Sequence, residues 1–311
     1  MASLDGAASS LVVVGSIALD TISTPQASDR VGLGGSATYF SASAGLFSQP
    51  QVIAVLGEDF DRTQLDFLVE RGVDLSTVTT QAGKTFHWQG SYDDDLAEAT
   101  TLKTDLNVFA NFEPELCDSQ KDCDFLFLAN ILPQLQLKVV EQSRAKFVAA
   151  DTMNLWINHE RAALMKVLER IDMLIVNETE ARLLSGQKCL TQAAHMIRSY
   201  GPKIVVIKCG RYGAAMLHDT SFFSCPAYLT ANIVDPTGCG DTFAGGLLGT
   251  LAKHKTVTDD TLREGIIVGT ALASHTIEGY SLDGLKRATL GSVQQRCREL
   301  EALTRFPAIR L

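Results

Sequence analysis

Two aspartates and two glycines lie within seven residues, in the stretch 235–241, which reads D-P-T-G-C-G-D. Gly238 and Gly240 tolerate backbone angles that other residues resist, so successive N–H groups can turn toward one point. Apolar residues follow this stretch at helical spacing, so a helix N-terminus adds free N–H groups and the positive end of its dipole. Together these groups predict a binding site for an anion, most often a phosphate.

Asp241 stands at the mouth of this predicted anion site, where a carboxylate would repel phosphate. Its presence is explained if Asp241 is a base that takes the proton from a substrate hydroxyl, while the glycine turn holds the phosphoryl group that this hydroxyl attacks. The simpler alternative is a glycine turn with a helix-capping aspartate. Two glycines and two aspartates in so short a stretch favour the chemical interpretation.

The rest of the chain alternates strands with helices that can position such a site. Residues 11–14 begin a continuous apolar run that is typical of a buried strand in a parallel sheet. Further strands are predicted at 52–56, 125–128, 146–150, 173–176 and 203–208, and residues 231–234 are predicted to be the strand before the anion turn. This alternation predicts an α/β fold in three layers, with a mostly parallel central sheet and helices on both faces.

Polar side chains recur at the predicted strand ends. In a parallel sheet these ends share one edge, where open α/β sheets bind their ligands. We therefore expect one crevice to collect these polar groups. They are Asp20, Asn130, Asp151, Asn177, Glu180 and Lys208.

A glycine pair, Gly34 and Gly35, opens a predicted helix of small residues over 37–47. With Gly32 the pair nearly fits G-x-G-x-x-G, but Ala37 takes the last glycine position and no clear buried strand precedes it. A dinucleotide-dependent oxidoreductase is therefore a weak alternative. The pair lets a ligand approach the backbone closely, which suits a small polar substrate.

Residues 84–108 alternate aromatic and polar side chains around a turn of three aspartates, which predicts a β-hairpin that stands off the main sheet. An isolated hairpin is marginally stable, so it must pack on the body or pair with a second subunit. We expect a small β lid from about 21–33 and 84–108, and a homodimer formed through this lid is an option. The lid belongs to a single domain over 11–311.

Composition limits the classes of function. The 311 residues are 46% hydrophobic and 20% charged, which is typical of a globular protein. The formal net charge is -9 and the sequence contains no basic block, so nucleic acid is not expected as a partner. The apolar runs are shorter than a membrane span. Residues 1–10 predict a disordered N-terminus and not a signal peptide. Seven cysteines without a C-x-x-C pair predict reduced thiols in a cytoplasmic protein.

These motifs together resemble the ribokinase-like family of carbohydrate and nucleoside kinases, also called the PfkB family. Residues 235–241 resemble its signature D-T-x-G-A-G-D, with proline second and cysteine in place of alanine. Residues 177–180 match its N-x-x-E motif, and 208–213 resemble its nucleotide-binding strand and turn. Asp20 with the glycine pair resembles its substrate-binding region. The resemblance runs from about residue 11 to about residue 285.

The resemblance implies a role for each matching residue on the phosphate side. Asp241 would be the base, and the N–H groups of Gly238, Cys239 and Gly240 would hold the transferring phosphoryl group. Glu180 would organise Mg²⁺, and Asp235 and Thr237 match positions that bind a monovalent cation such as K⁺ in some members. The ATP site would be lined by Asn177, Lys208, Gly210, Gly213 and, in a segment that could form a base pocket, Ser274.

On the acceptor side, the resemblance implies that Asp20 and Gly35 hold substrate hydroxyls. Many members carry a sugar-binding asparagine four residues after the glycine pair, and here that position is Tyr39. This departure leaves the substrate open between a sugar and a nucleoside. The full predicted substrate set is Asp20, Gly34, Gly35, Tyr39, Asn130 and Asp151.

The sequence therefore predicts an ATP- and Mg²⁺-dependent phosphotransferase that acts on a hydroxymethyl group of a sugar or sugar-like substrate. The alternatives are a nucleoside kinase and a catalytically silent ligand-binding protein on the same fold. Neither a G-x-x-x-x-G-K-[ST] motif nor an H-R-D and D-F-G set occurs, which excludes P-loop enzymes and protein kinases.

Overall fold

The structure is a computed structural model that describes residues 10–219, 221–305 and 307. The predicted disordered segment 1–10 lies, except for Ser10, outside the described residues. In the part of the chain that the structure describes, no helix is both long and apolar enough to span a membrane.

The strands in chain order are β1 (Leu11–Val14), β2 (Ala18–Thr24), β3 (Ala27–Gly34), β4 (Pro50–Ile53), β5 (Val55–Gly57), β6 (Thr79–Gln81), β7 (His87–Tyr92), β8 (Ala99–Asp105), β9 (Phe125–Leu128), β10 (Phe147–Asp151), β11 (Met173–Asn177), β12 (Ile204–Lys208), β13 (Ala214–His218) and β14 (Ser221–Cys225). The helices are α1 (Ser36–Ala44), α2 (Asp66–Glu70), α3 (Asp118–Lys121), α4 (Pro133–Gln142), α5 (Asn154–His159), α6 (Arg161–Leu168), α7 (Glu178–Ser185), α8 (Leu190–Arg198), α9 (Cys239–His254), α10 (Asp259–Ile277), α11 (Asp283–Arg287) and α12 (Leu290–Thr304). Short 3₁₀ turns lie at Arg62–Leu65, Asn107–Asn111 and Gly210–Tyr212.

The central sheet has eight strands in the order β14-β13-β12-β11-β10-β9-β1-β4. The six strands from β4 to β12 in this order are parallel, and β13 and β14 add an antiparallel hairpin at one edge. From β1 the chain crosses first to β4 on one side and later to β9 on the other. This reversal is the switch point where parallel sheets of this kind open a ligand crevice.

Alternate residues of each central strand face opposite layers of helices, which gives the predicted three-layer fold. In β1, Leu11 and Val13 pack in the same core as Phe243 of α9, whereas Val12 and Val14 face the core that contains Leu164 of α6. The strands are apolar on both faces because both faces are covered. The predicted α/β fold class is confirmed.

A second, smaller sheet has the order β3-β2-β7-β8. The hairpin expected at 84–108 is present as β7 and β8, and β7 pairs in parallel with β2. The partner that the hairpin needed is therefore the β2–β3 hairpin of its own chain.

Two sequence expectations about local structure were wrong. Residues 231–234 form no strand; the N–H groups of Val234 and Asp235 both donate to the Ile277 carbonyl at the end of α10. Asp20 does not end the first strand. The chain leaves the central sheet after Val14, where Ser16 binds the start of α1, and Asp20 lies within β2 of the small sheet.

Several helices are short. The 3₁₀ turn at Arg62–Leu65 leads directly into α2, and α5 and α6 are separated at Glu160. The helix expected at 37–47 runs from Ser36 to Ala44 with Gly35 as its N-cap.

Candidate active site

The anion turn, residues 235–241, leads directly into α9. Gly238 is the N-cap of this helix and has φ 75°, a left-handed conformation that favours glycine. The side chain of Asp235 is fully buried and holds the turn by accepting the N–H of Thr237 and the N–H of Ser281, each at 2.9 Å. The first N–H groups of α9 thus lie at a helix N-terminus, which is an arrangement suited to a phosphate.

Asp241 lies in the first turn of α9 and keeps part of its surface exposed. Burial within the site raises the pKa of Asp241 to about 7; the nearby carboxylate of Asp151 raises it as well, whereas Lys208 opposes the shift. A carboxylate with this pKa can take a proton at neutral pH more effectively than an ordinary aspartate. A pKa in this range is what the predicted role of Asp241 as a general base requires.

Lys208, the last residue of β12, provides positive charge beside the anion turn. Its Nζ is 3.0 Å from Oδ2 of Asp151, which ends β10. A Cβ atom built on Gly240 would lie 2.9 Å from the same Nζ, so glycine lets the lysine approach the turn. Burial lowers the pKa of Lys208, but the carboxylates of Asp151, Glu180 and Asp241 outweigh it, so the net pKa is raised and the lysine stays charged.

Asn177 and Glu180 begin α7 as a capping box. The Asn177 side chain accepts the Glu180 N–H at 2.8 Å, and Glu180 Oε2 accepts the Asn177 N–H at 2.7 Å. Asn177 pairs with Lys208 in the sheet register, so this box adjoins the lysine. Burial raises the pKa of Glu180 to about 7, with Lys208 opposing this shift.

Asp20 and the glycine pair, which are predicted to bind the acceptor, lie in direct contact. A Cβ atom built on Gly34 would lie 1.8 Å from the Asp20 carboxylate, so only glycine fits there. Gly35 has φ 97° and donates its N–H to Asp20. Burial raises the pKa of Asp20 to about 7, and Asp235 raises it further, whereas this N–H group lowers it.

Tyr39, on α1, lies behind the anion turn. Its side chain is 1% exposed, and a Cβ atom built on Gly238 would lie 2.4 Å from three of its ring atoms. Cys239 of the same turn contacts the Ala273 carbonyl through its thiol, and burial raises the pKa of this thiol. The anion turn thus has Tyr39 behind it and, through Lys208, Asp151 beside it.

The β7–β8 hairpin reaches across this site. Tyr92 Oη is 3.1 Å from Thr237 Oγ1 in the anion turn. At the hairpin tip, the Asp95 carbonyl accepts a hydrogen bond from Arg211 at 3.1 Å, and Glu98 accepts one from Thr179 at 2.5 Å. The small sheet therefore contacts the turn and the two nucleotide-side motifs identified in the sequence.

The remaining predicted site residues have contact partners other than the residues described above. Asn130 accepts a hydrogen bond from the Trp156 indole, and Ser274 donates to the Ala271 carbonyl and accepts from Arg296 of α12. Gly213 is required by packing, because a Cβ there would lie 2.0 Å from the Cys225 carbonyl, whereas Gly210 borders open space. A role in ligand binding stays a prediction for these residues.

Sequence reasoning missed Ser281 and the residues around it. Ser281 has φ 53°, donates its N–H to Asp235 and its hydroxyl to the Leu33 carbonyl, and so connects the anion turn to β3. Next to it, the Tyr280 ring stacks beneath Arg30 with 3.9 Å from the guanidinium carbon to the ring centre. No spacing rule identifies such residues, because their importance depends on tertiary contacts.

The chain matches the model of the pfkB family of carbohydrate kinases over residues 8–284. It is 29% identical over 263 residues to a cytidine kinase of Thermococcus kodakarensis, covering 82% of this chain and 93% of the relative. The fold is similar to that of a Burkholderia thailandensis nucleoside kinase in complex with inosine, with a TM-score of 0.77 and 20% identity over 93% of this chain and 97% of that one. It is also similar to a protein from E. coli described as ribokinase II, in complex with ATP and Mg²⁺, with a TM-score of 0.75 and 19% identity over 94% and 99%.

The chain therefore belongs to the pfkB family of carbohydrate kinases. The resemblance inferred from its motifs is confirmed, and the chain is an ATP-dependent small-molecule kinase.

Proposed function

We propose that this kinase phosphorylates the hydroxymethyl group of a nucleoside, with a free sugar such as ribose as the second candidate. The observation that supports the reaction is Asp241, a carboxyl with a pKa of about 7 that lies beside a helix N-terminus and a partly buried lysine. Similarity to a cytidine kinase over most of both chains favours a nucleoside. Asp20 and the Gly34–Gly35 turn would bind the hydroxyls of the ribose.

In the proposed reaction, Asp241 takes the proton from the acceptor hydroxyl as its oxygen attacks the γ-phosphorus of ATP. The bond between this phosphorus and the β,γ-bridging oxygen breaks, and ADP leaves. The N–H groups of Gly238, Cys239 and Gly240 would stabilise the charge on the transferring group, since they are fixed by the turn before the reaction begins. Lys208 would add positive charge beside them.

The residues present fit Mg²⁺. Mg²⁺ usually keeps several waters and binds through one or two carboxylates plus substrate phosphates. Glu180 fits this requirement, because it is a buried carboxyl next to the anion turn. Within the described ranges no cluster of three or more acidic, histidine or cysteine side chains forms a preassembled metal site. When bound, the ion would neutralise charge on the phosphate oxygens.

We also propose a bound cation, a homodimer and a cellular location. A K⁺ ion beside Asp235 and Thr237 is favoured by the full burial of the Asp235 carboxyl, because a buried carboxylate is stabilised by a cation. A homodimer through the small sheet is favoured by β8, an outer strand with exposed side chains that leaves one edge open for pairing. The cytoplasmic location stays a prediction from cysteine content.

The test of the function is ATP consumption with Mg²⁺ over a panel of cytidine, inosine, D-ribose and myo-inositol. We expect turnover with a nucleoside at a kcat/KM at least about tenfold above that with D-ribose, and ATP consumption without an acceptor at a small fraction of this rate. A preference for ribose would replace the nucleoside proposal by the second candidate. If ATP binds but no acceptor is phosphorylated, the nucleoside proposal is wrong.

A further inference from the structure

The face of the small sheet that is turned toward the site carries a tryptophan, Trp88 of β7. Tyr92 of the same strand marks this face, because its hydroxyl is 3.1 Å from Thr237 Oγ1 in the anion turn. Alternate residues of a strand point to the same face, so Trp88 and Gly90 share the face of Tyr92. Trp88 also pairs in register with Asp20 of β2, so the two side chains are neighbours on this face.

The Trp88 ring leans along its own strand over Gly90. A Cβ atom built on Gly90 would lie 2.1 Å from Cη2 of the indole and 2.3 Å from Cζ2, so the ring occupies the space of a side chain at that position. Its Nε1 donates to Thr101 Oγ1 of β8 at 3.2 Å, which satisfies the one donor of an indole. The ring is therefore fixed in orientation, and its open surface offers only apolar and π contacts.

Packing within the protein does not account for this ring. Trp88 is partly exposed and is not among the described residues that form or pack against the two hydrophobic cores. In the ranges that the structure describes, no aromatic ring stacks on the indole and no cationic side chain lies over it. A glycine inside a strand weakens the strand and often marks a place where a ligand approaches closely. A fixed, partly uncovered indole is suited to stack on a planar ligand group.

The position of the indole indicates which part of the acceptor it meets. Neighbouring strands are about 4.8 Å apart, so Trp88 stands one strand away from Asp20, the carboxyl proposed to bind the ribose hydroxyls. Tyr92, four residues farther along the strand, reaches the anion turn, where the transferring phosphoryl group would be held. A planar group attached to the ribose would lie beside the indole, whereas a free sugar has no such group to place there.

We propose that Trp88 is a specificity-determining residue whose indole stacks on the nucleobase of the acceptor. This inference rests on the proposed function, since only a nucleoside carries a base, and it adds the residue that separates nucleosides from free sugars. Stacking on an aromatic side chain tolerates every base, because every base has a π-face. Cytidine and inosine therefore both gain binding from the indole, and D-ribose does not.

The first test is calorimetric titration of cytidine, inosine and D-ribose into full-length Trp88→Ala, with ADP and Mg²⁺ present so that no turnover occurs. The dissociation constants for both nucleosides should rise by about 5- to 150-fold, which corresponds to about 1–3 kcal/mol for one stacked base. That for D-ribose should change by less than about threefold, because it has no base to stack. Trp88→Phe keeps a smaller ring and should bind both nucleosides more tightly than Trp88→Ala does.

Gly90→Ala tests the orientation of the ring without removing it. Gly90 is not among the glycines with positive φ, and the three atoms nearest to a Cβ built there all belong to the indole. The added methyl group should therefore displace the ring and raise the dissociation constant for cytidine by about threefold or more. In the Trp88→Ala background the same change should have no further effect, since the two residues act through one contact. This comparison also tests the ring if Trp88→Ala alone does not fold.

Val31→Ala is the matched control on the opposite face of the same sheet. Val31 is an apolar residue of β3 that is 64% exposed and pairs with Thr21, the neighbour of Asp20 in β2. Because successive residues of a strand face opposite sides, Val31 points away from the site. Its replacement should change none of the three dissociation constants.

Equal losses for cytidine and D-ribose in Trp88→Ala, or no loss for either nucleoside, would overturn the role of Trp88. Phosphorylation of nucleosides by the wild-type protein would stand in that case. If the wild-type protein binds neither cytidine nor inosine, the proposed function itself fails, and the stacking role of Trp88 is overturned with it.

Discussion

Three carboxyl groups of the site, those of Asp20, Glu180 and Asp241, have a pKa raised to about 7, and burial is the largest cause for each. Two of them, Glu180 and Asp241, act on the same partly buried cation, Lys208, whose Nζ is 3.0 Å from Asp151. At neutral pH, a carboxyl with a pKa of about 7 is present in both its charged and its neutral form. Such perturbation is typical of functional sites, because proton transfer needs a group whose pKa is close to the working pH.

The sharpest prediction at this scale concerns Asp241. Asp241→Asn keeps the shape of the side chain but removes the base, so kcat should fall by roughly 10²–10⁴-fold. The dissociation constant for ATP should change by less than about threefold, because the amide leaves the anion turn intact. Steady-state kinetics with the best acceptor of the panel and calorimetric titration of ATP measure the two quantities.

The control is Asp94→Asn, which makes the same chemical change on an exposed turn of the β7–β8 hairpin. It should retain wild-type kcat. A loss of less than tenfold in Asp241→Asn would remove Asp241 from the role of general base, whatever its effect on ATP.

The sequence predicted those site residues whose location follows from their position at the end of a strand. Asp151, Asn177 and Lys208 are the last residues of their strands, and the parallel register alone brings them to one edge. Tyr39 and Ser281 could not be placed this way. The role of Ser281 depends on a positive φ and two contacts to distant segments, and that of Tyr39 depends on which helix face meets the turn.

At the scale of elements, the anion turn is shaped by packing behind it as well as by its glycines. Gly238→Ala would place a methyl group 2.4 Å from the Tyr39 ring and strain a backbone with φ 75°. We expect a loss of stability of about 2–5 kcal/mol, since backbone strain of about 1–2 kcal/mol adds to overpacking of about 1–3 kcal/mol. Turnover should fall with it, because the turn must shift. Urea unfolding and kcat measure the two effects.

Gly186→Ala is a control that separates backbone strain from overpacking against the Tyr39 ring. Gly186 ends α7 with φ 70°, close to that of Gly238, but nothing lies within 4 Å of a Cβ built there. This control should lose only about 1–2 kcal/mol and keep wild-type kcat. If both alanine variants are destabilised equally, the Tyr39 ring does not support the turn.

The strands were predictable from the sequence where both of their faces are buried. Strands β1, β9, β11 and β12 lie close to the predicted apolar runs, because a parallel strand between two helix layers is apolar on both faces. Residues 231–234 have the same β-prone composition but no neighbouring strand, and Ile233 is 43% exposed. Strand propensity depends on such context, which the sequence does not contain.

At the scale of the whole molecule, the acidic site should make stability depend on pH. The folded-state pKa values of Asp20, Glu180 and Asp241 lie above the ordinary values of 3.8 and 4.5. The folded protein therefore binds these protons more tightly than the unfolded chain. The resulting stabilisation is fully present below about pH 4 and is lost as pH rises through 7. His275 acts in the opposite direction, because burial lowers its pKa to about 4.

We therefore expect the ligand-free protein to be more stable at pH 5.5 than at pH 8. Each of the three carboxyls can lose up to about 2 kcal/mol between these values, whereas His275 recovers about 1.4 kcal/mol, so Tm should be lower at pH 8 by several degrees. Calorimetry at the two pH values measures this difference. Asp241→Asn serves as the internal comparison: it should raise Tm at pH 8, where the wild-type carboxyl is charged, and change it much less at pH 5.5, where that carboxyl is already neutral. A wild-type Tm that is equal or higher at pH 8 would mean that burial does not raise the pKa values of the site carboxyls to about 7. The assignment of Asp241 as a base with a pKa close to neutral pH would then lose its physical support.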